Sequence, residues 1–375
     1  MKTTLSGLWN NIQQQLFPLI EDHVGQLSEE YKKLTAILEL TRIEEALPCT
    51  RFNFGRPCRD RAFIARAFIA KVVLKITYTN QLIRILKRDK QLRIICGWEV
   101  TSKIPSESKF SRAFKGFAEC FLPEKVHSTL VSELYKGKTI GHITKDSTPI
   151  CARERALKKE GTRKQRKELV NKRYLKEKKG ELLSRRNKQL TQNAEEAIKE
   201  LPKSCDIGCK KGSQGYITAW KGYKLHAAVS DDCIPVGIVL TSASLNDCEV
   251  AIPLANQSHE RVRNFYDLMD SAYDVPEIKE HSISLGHVPI IDSNPRCITK
   301  KAEKEAEKKR KKLLNFSTAE DRRYKERFPK ERFNALFKDY YGGRNIFYRG
   351  YSKVFCHLMF GVTALTASMI LKSII

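Results

Sequence analysis

Two aspartates and a glutamate stand where carboxylates could share a metal ion. Asp146 lies in Lys145-Asp146-Ser147-Thr148-Pro149, directly after the apolar run Ile140 to Thr144, which reads as a buried strand ending just before it. Asp270 lies in Met269-Asp270-Ser271-Ala272-Tyr273-Asp274, after a second strand candidate, Asn264 to Met269. In open α/β sheets functional groups gather beyond the carboxyl ends of strands, so neighbouring strands would aim both side chains into one crevice. Carboxylates that close repel unless a cation sits between them. Magnesium prefers hard oxygen ligands and leaves positions for phosphate and water. Each aspartate taken alone could equally cap a turn or helix.

A third group shifts that balance. Tyr324, Arg327, Glu331 and Lys338 are spaced by three, four and seven residues. At about 100° per residue they fall within roughly a 60° arc of one α-helix. Such a face presents a carboxylate for a metal and cations for phosphate oxygens, although charged pairs at these spacings also decorate ordinary solvated helices. Pro329 interrupts the pattern. Either the helix kinks there, or it starts at Pro329, where proline is tolerated in the first turn. In the second case Glu331 and Lys338 keep their face and Tyr324 and Arg327 lose theirs. Asp267 and Asp274 are the nearest rival ligands: Asp267 sits inside a strand and Asp274 suits a helix cap. Asp292 fits a turn.

The elements that must position these groups fall into two parts. Residues 1–137 show apolar spacing nearer 3.6 than 2 and read as a helical domain, a candidate for binding DNA ends. Its Arg59, Arg61, Arg66 and Lys71 could touch DNA or simply be solvated. Residues 138–375 alternate strands and helices. Gly222 to Val229 and Ile234 to Leu240 read as a hairpin turning at Asp231 and Asp232, Asp247 to Asn256 and Val275 to Ser282 as helices, and Val288 to Ile291 as a last short strand. This order implies a mixed α/β sheet. It is interrupted at about 151–216 by a basic insertion, read as helical: residues 151–190 hold 16 Lys or Arg against 5 Asp or Glu.

Composition bounds the partners. The 375 residues carry a formal net charge of +26, and nucleic acid is the default polyanion for such an excess. The 11 cysteines are scattered, as expected of reduced thiols. Cys205 and Cys209 lack a second pair at zinc-ribbon distance, so no structural zinc is expected. No apolar run of a signal peptide follows Lys2. Val354 to Leu371 is an 18-residue stretch without formal charge, at the lower edge of a membrane span. With His357, Thr363, Thr366 and Ser368 inside it, a buried core helix is the expectation.

Tyr324-x2-Arg327-x3-Glu331-x6-Lys338 resembles the signature of a large group of bacterial insertion-sequence transposases of the DDE type. Asp146-Ser147-Thr148-Pro149-Ile150 and Asp270-x-x-Tyr273-Asp274 look like that group's first and second aspartate motifs, with Ala272 where glycine is common. Gly222 to His226, Asn246-Asp247 and Phe347 to Gly350 fall where the group shows similar residues. The likeness runs from about Arg42 to the C-terminus. Other members can carry a β-rich insertion between the last strand and the catalytic helix, whereas here the interval 292–324 is short and basic.

The resemblance implies an RNase H-like catalytic domain in which Asp146, Asp270 and Glu331 bind two magnesium or manganese ions for cleavage and joining of DNA. It also implies contacts from Tyr324, Arg327 and Lys338 to phosphates, with His226 and Asp247 near the site. The insertion, including Arg163, Lys164, Arg166 and Lys167, would track the backbone of double-stranded DNA. The partners would be terminal inverted repeats and target DNA, bound by a homodimer in the cytoplasm at the bacterial nucleoid, with no membrane. A structure-specific RNase H-like nuclease or an inactive DNA-binding descendant are the alternatives.

Overall fold

The computed structural model describes residues 2–48, 61–157, 161, 163–211, 215–294 and 298–374. The chain opens with helices α1 (Lys2–Asn11), α2 (Phe17–Val24), α3 (Glu29–Thr41) and α4 (Arg61–Val73). Helices α5 (Thr79–Arg88), α6 (Lys90–Cys96), α7 (Glu107–Glu119) and α8 (Leu122–Tyr135) follow. Strand β1 (Thr139–Cys151) precedes α9 (Arg163–Lys178), α10 (Arg185–Gln189) and α11 (Ala194–Lys199). Then come β2 (Asp206–Lys211), β3 (Ile217–Ser230), β4 (Pro235–Ser242), α12 (Ala251–His259), β5 (Arg263–Met269), α13 (Pro276–Ser284) and β6 (Val288–Ile291). Helices α14 (Ile298–Leu313), α15 (Ala319–Lys325), α16 (Phe328–Tyr340) and α17 (Tyr351–Lys372) end the chain.

Contacts divide these elements into two units, one of residues 1–136, 151–153 and 334–375, the other of residues 137–150 and 154–333. The first is all helix around α17, which α3, α4, α7 and α8 enclose. A helix apolar on every side needs burial on every side, and protein covers 89% of the apolar window of α17. Within it Thr363 Oγ1 donates to Pro123 O at 2.9 Å, while Thr366 Oγ1 is buried without a partner among the described residues. Gly361 lets the chain near Tyr341 approach, since a Cβ would run into Tyr341 O. Phe68 meets Phe114 and Phe360 at ring-centroid distances of 4.8 and 5.6 Å. Lys71 is buried in this unit with its ammonium 3.1 Å from Tyr348 Oη, and Arg66 pairs with Glu44. Neither matches the exposed DNA contact that the sequence allowed. Arg59 lies outside the described residues.

The second unit is built on a mixed sheet with strand order β2-β3-β1-β5-β6, β4 also pairing with β3. β5 runs parallel to β1 and β6 parallel to β5, while β2 and β4 are antiparallel to β3. β3 is long enough to pair with β2 along Ile217–Gly222 and with β4 along Tyr223–Val229. α12 closes one face. Val250 and Leu254 pack on Ile143, Ala228 and Val239, and Gly237 permits the approach because a Cβ would meet Ser258 Oγ at 2.8 Å.

Two features differ from the sequence reading, and a third decides between its alternatives. β1 does not end before Asp146 but continues through it to Cys151. The stretch read as one insertion divides: α11, opened by an Asn193–Glu196 capping box, sends Ile198 and the following Leu201 into the core, and β2 adds a strand that alternation did not reveal. Pro329 acts as the second alternative held, because α15 stops at Lys325 and a new helix begins at Phe328.

Candidate active site

The register between β1 and β5 runs from Thr139↔Arg263 to Lys145↔Met269, so Asp146 and Asp270 come next in line on adjacent parallel strands. Side chains alternate across a strand. Lys145 therefore enters one face, where it meets Asp267 at 2.7 Å, and Asp146 enters the other. Asp146 Oδ1 accepts from Ser147 N at 2.7 Å. Asp270 does cap a turn, accepting from Ala272 N at 2.9 Å, and still faces Asp146. Burial raises its pKa first, and the charge of Asp146 raises it further against the pull of the Ala272 amide and Arg327.

Asp247, at the start of a short 3-10 turn, is the third carboxylate in this neighbourhood. Burial opposes its ionisation, but contacts with His226, Lys224 and the Ser147 hydroxyl outweigh that and hold its pKa low. Lys224 Nζ lies 3.1 Å from Asp247 Oδ1. His226 is fully buried, its Nε2 2.9 Å from Thr241 Oγ1, and burial pushes the imidazole down to about 4. A neutral, packed histidine is a spacer under the site. Tyr273 is also fully buried in the field of Asp247, Asp146 and Asp270, with no hydrogen-bond partner for its hydroxyl among the described residues.

The groups from the C-terminal helices are distributed differently. Tyr324 and Arg327 do not share a helix with Glu331. They contact each other, with the guanidinium 4.9 Å from the Tyr324 ring centroid, and Arg327 acts on Asp270. Glu331 is exposed in the first turn of α16, and Lys338 follows two turns later, half-buried. The residue that enters the aspartate neighbourhood from α16 is Lys330. It is 2% exposed and donates through Nζ to Asp146 O at 2.8 Å. Burial lowers its pKa to about 8, although Asp146 and Asp247 favour its charge. Nothing in the sequence singled it out, because it precedes the expected ligand by about 100° of helix rotation.

Of the rival acids, Asp267 is fully buried and occupied by Lys145, by Ser282 Oγ at 2.9 Å and by His287 Nδ1 at 3.3 Å. Asp274 pairs with Lys279 at 2.5 Å and does not cap α13. Asp292 pairs with Lys304 at 2.7 Å. Lys164 is exposed on α9, while the side chains of Arg163, Arg166 and Lys167 lie outside the described residues.

The structure thus brings Asp146 and Asp270 together and leaves Glu331 outside that pair. Among the described residues no three His, Cys, Asp or Glu side chains stand close enough to hold one metal ion. The donor chemistry nevertheless fits a hard divalent cation. Two oxygen-only side chains lie together, the charge of Asp146 adding to burial in raising the proton affinity of Asp270, beside an orphaned buried hydroxyl.

The sheet order with its paired aspartates is that of an RNase H-like domain. The family model "Transposase DDE domain" matches residues 201–367, and "Transposase domain (DUF772)" matches residues 18–116. The chain belongs to the insertion-sequence DDE transposases, a family of DNA-cleaving enzymes. No curated protein and no solved structure matches it. The DDE match contains Asp270 and Glu331 and begins after Asp146, whose place rests on the β1–β5 pairing.

Proposed function

We propose that this transposase cleaves the ends of a mobile element and joins them to target DNA, with Asp146, Asp270 and Glu331 as its metal-holding acids. The observation that carries the reading is the side-by-side placement of Asp146 and Asp270 in line with parallel strands of a transposase-family chain. Two magnesium or manganese ions held there would supply activation of a water or 3′-hydroxyl and relief of charge on the leaving oxygen. The chain's own residues do the rest. Lys330 fixes the Asp146 backbone from below, Arg327 and Lys338 meet phosphates, and Tyr324 orients the Arg327 guanidinium. The basic residues of α9, Arg163, Lys164, Arg166 and Lys167, track the duplex without reading bases. The working form is a homodimer on terminal inverted repeats, in the cytoplasm.

The test uses the full-length chain with duplexes carrying the element's ends and a supercoiled target. Asp146→Asn, Asp270→Asn and Glu331→Gln should each reduce cleavage and joining by at least about a hundredfold while duplex binding stays within about twofold of the parent. Near-normal cleavage by any one of them removes that residue from the site. Cleavage by the parent without joined product would make the protein a nuclease instead.

A further inference from the structure

We infer that the antiparallel ribbon formed by β2 and the first half of β3 is a DNA-gripping element beside the paired aspartates, distinct from α9. This rests on the reading above that the substrate is duplex DNA. β2 pairs with β3 from Asp206↔Gly222 to Lys211↔Ile217, and beyond Gly222 β3 takes β4 as its partner. The two halves of β3 differ in their surroundings. Ile217 to Ala219 are exposed, whereas Leu225 to Ser230 lie in the core. The 6 residues of β2, at about 3.4 Å each, give a projection of roughly 20 Å, and a two-stranded ribbon of that size fits a DNA groove.

The two faces of the ribbon are unlike. On one, Gly208 sits under Trp220, where a Cβ would lie 2.5 Å from the indole, and Trp220 Nε1 donates to Tyr223 O at 2.9 Å. Asp206, on the same face, accepts from Ser244 N at 2.9 Å. The ribbon is therefore pinned at its root, and its one acid is used internally. Lys210, further out on that face, is exposed, and β3 lies beside β1, the strand that carries Asp146. The other face carries exposed Lys221 with Ile207 and Ile217, 56% and 72% exposed, and Tyr216 at 76% adjoins the end of the strand. Lysines beside apolar and aromatic groups, with no carboxylate left over, suit phosphates and the sugar and base edges between them. Pairing of two such edges from two copies would bring like charges together.

The test measures binding of the full-length chain to a short fluorescent duplex by anisotropy, without divalent ions, across a salt series. Lys210→Gln/Lys221→Gln should weaken binding several-fold at low salt and reduce the salt slope by about 1.8, or about 0.9 per lost phosphate contact. Tyr216→Ser should weaken binding with the slope unchanged. Far-UV circular dichroism should match the parent in both. Parental affinity and slope in the lysine variant would overturn the inference, as would a changed oligomeric state with unchanged DNA affinity. If the ribbon variants bind normally while Asp146→Asn still loses cleavage, the ribbon assignment fails and the transposase reading stands. If the parent binds no duplex, both fail.

Discussion

The two faces of β1 and β5 carry aspartates in opposite circumstances. On one, Asp267 is enclosed with Lys145, Ser282 and His287, and every carboxylate oxygen has a partner. Burial alone would raise its pKa, but Lys145 and then His287 outweigh burial and hold it well below the usual carboxylate range. On the other, Asp270 is half-buried against Asp146, and its pKa is raised. The same side chain type, three residues further along the chain, changes from a fully paired structural ion to one held against a like charge. Repulsion retained on one face, where the other face pairs its buried acid, is the pattern expected of a functional face.

Stability should separate the two faces most strongly. Asp267→Ala leaves Lys145 buried and unpaired and should cost about 3–5 kcal/mol in urea unfolding, while replacing both partners with apolar residues should recover much of it. A loss below about 1 kcal/mol would show that the pair is not the anchor described. In the metal-free protein Asp270→Asn should act with the opposite sign and raise the unfolding midpoint. Asp267 contributes stability above its unfolded pKa that is lost as pH falls through its folded value. Asp270 carries a penalty that is complete above its folded pKa and relieved as pH falls toward its unfolded one. An Asp270→Asn variant less stable than its parent at neutral pH would contradict this account.

Lys330 gives a smaller and sharper effect. Its folded pKa of about 8 lies below the ordinary lysine value of 10.5, so its contribution to stability rises with pH between the two. Lys71, also lowered to about 8, adds a similar rise, and the difference between Lys330→Met and the parent isolates Lys330. The variant should show a flatter stability profile over that window. An unchanged profile would place the Lys330 ammonium in water.

Much of the second unit was legible because its signals are local. β3 to β6 are apolar runs closed by turns, and Pro329 announces the break before α16. What escaped depends on distant partners. Lys145 and Asp146 look like the end of a strand until Asp267, far along the chain, neutralises Lys145 and lets β1 continue. β2 lacks alternation, and its place comes from Trp220 lying over Gly208. Lys330 is one residue from Glu331 in sequence and on a different helix face in space. For the site, the paired aspartates were readable from neighbouring strands and motif even though β1 runs on through Asp146, whereas the shared face of Tyr324, Arg327 and Glu331 was not realised.

Manganese binding to the full-length chain, followed by electron paramagnetic resonance, tests the central claim most directly. The parent should bind manganese, and Asp146→Asn or Asp270→Asn should each weaken binding at least about tenfold, or about 1.4 kcal/mol, while the Lys210→Gln/Lys221→Gln variant binds as the parent does. Parental manganese affinity in both aspartate variants would contradict the assignment of these two carboxylates as the metal site.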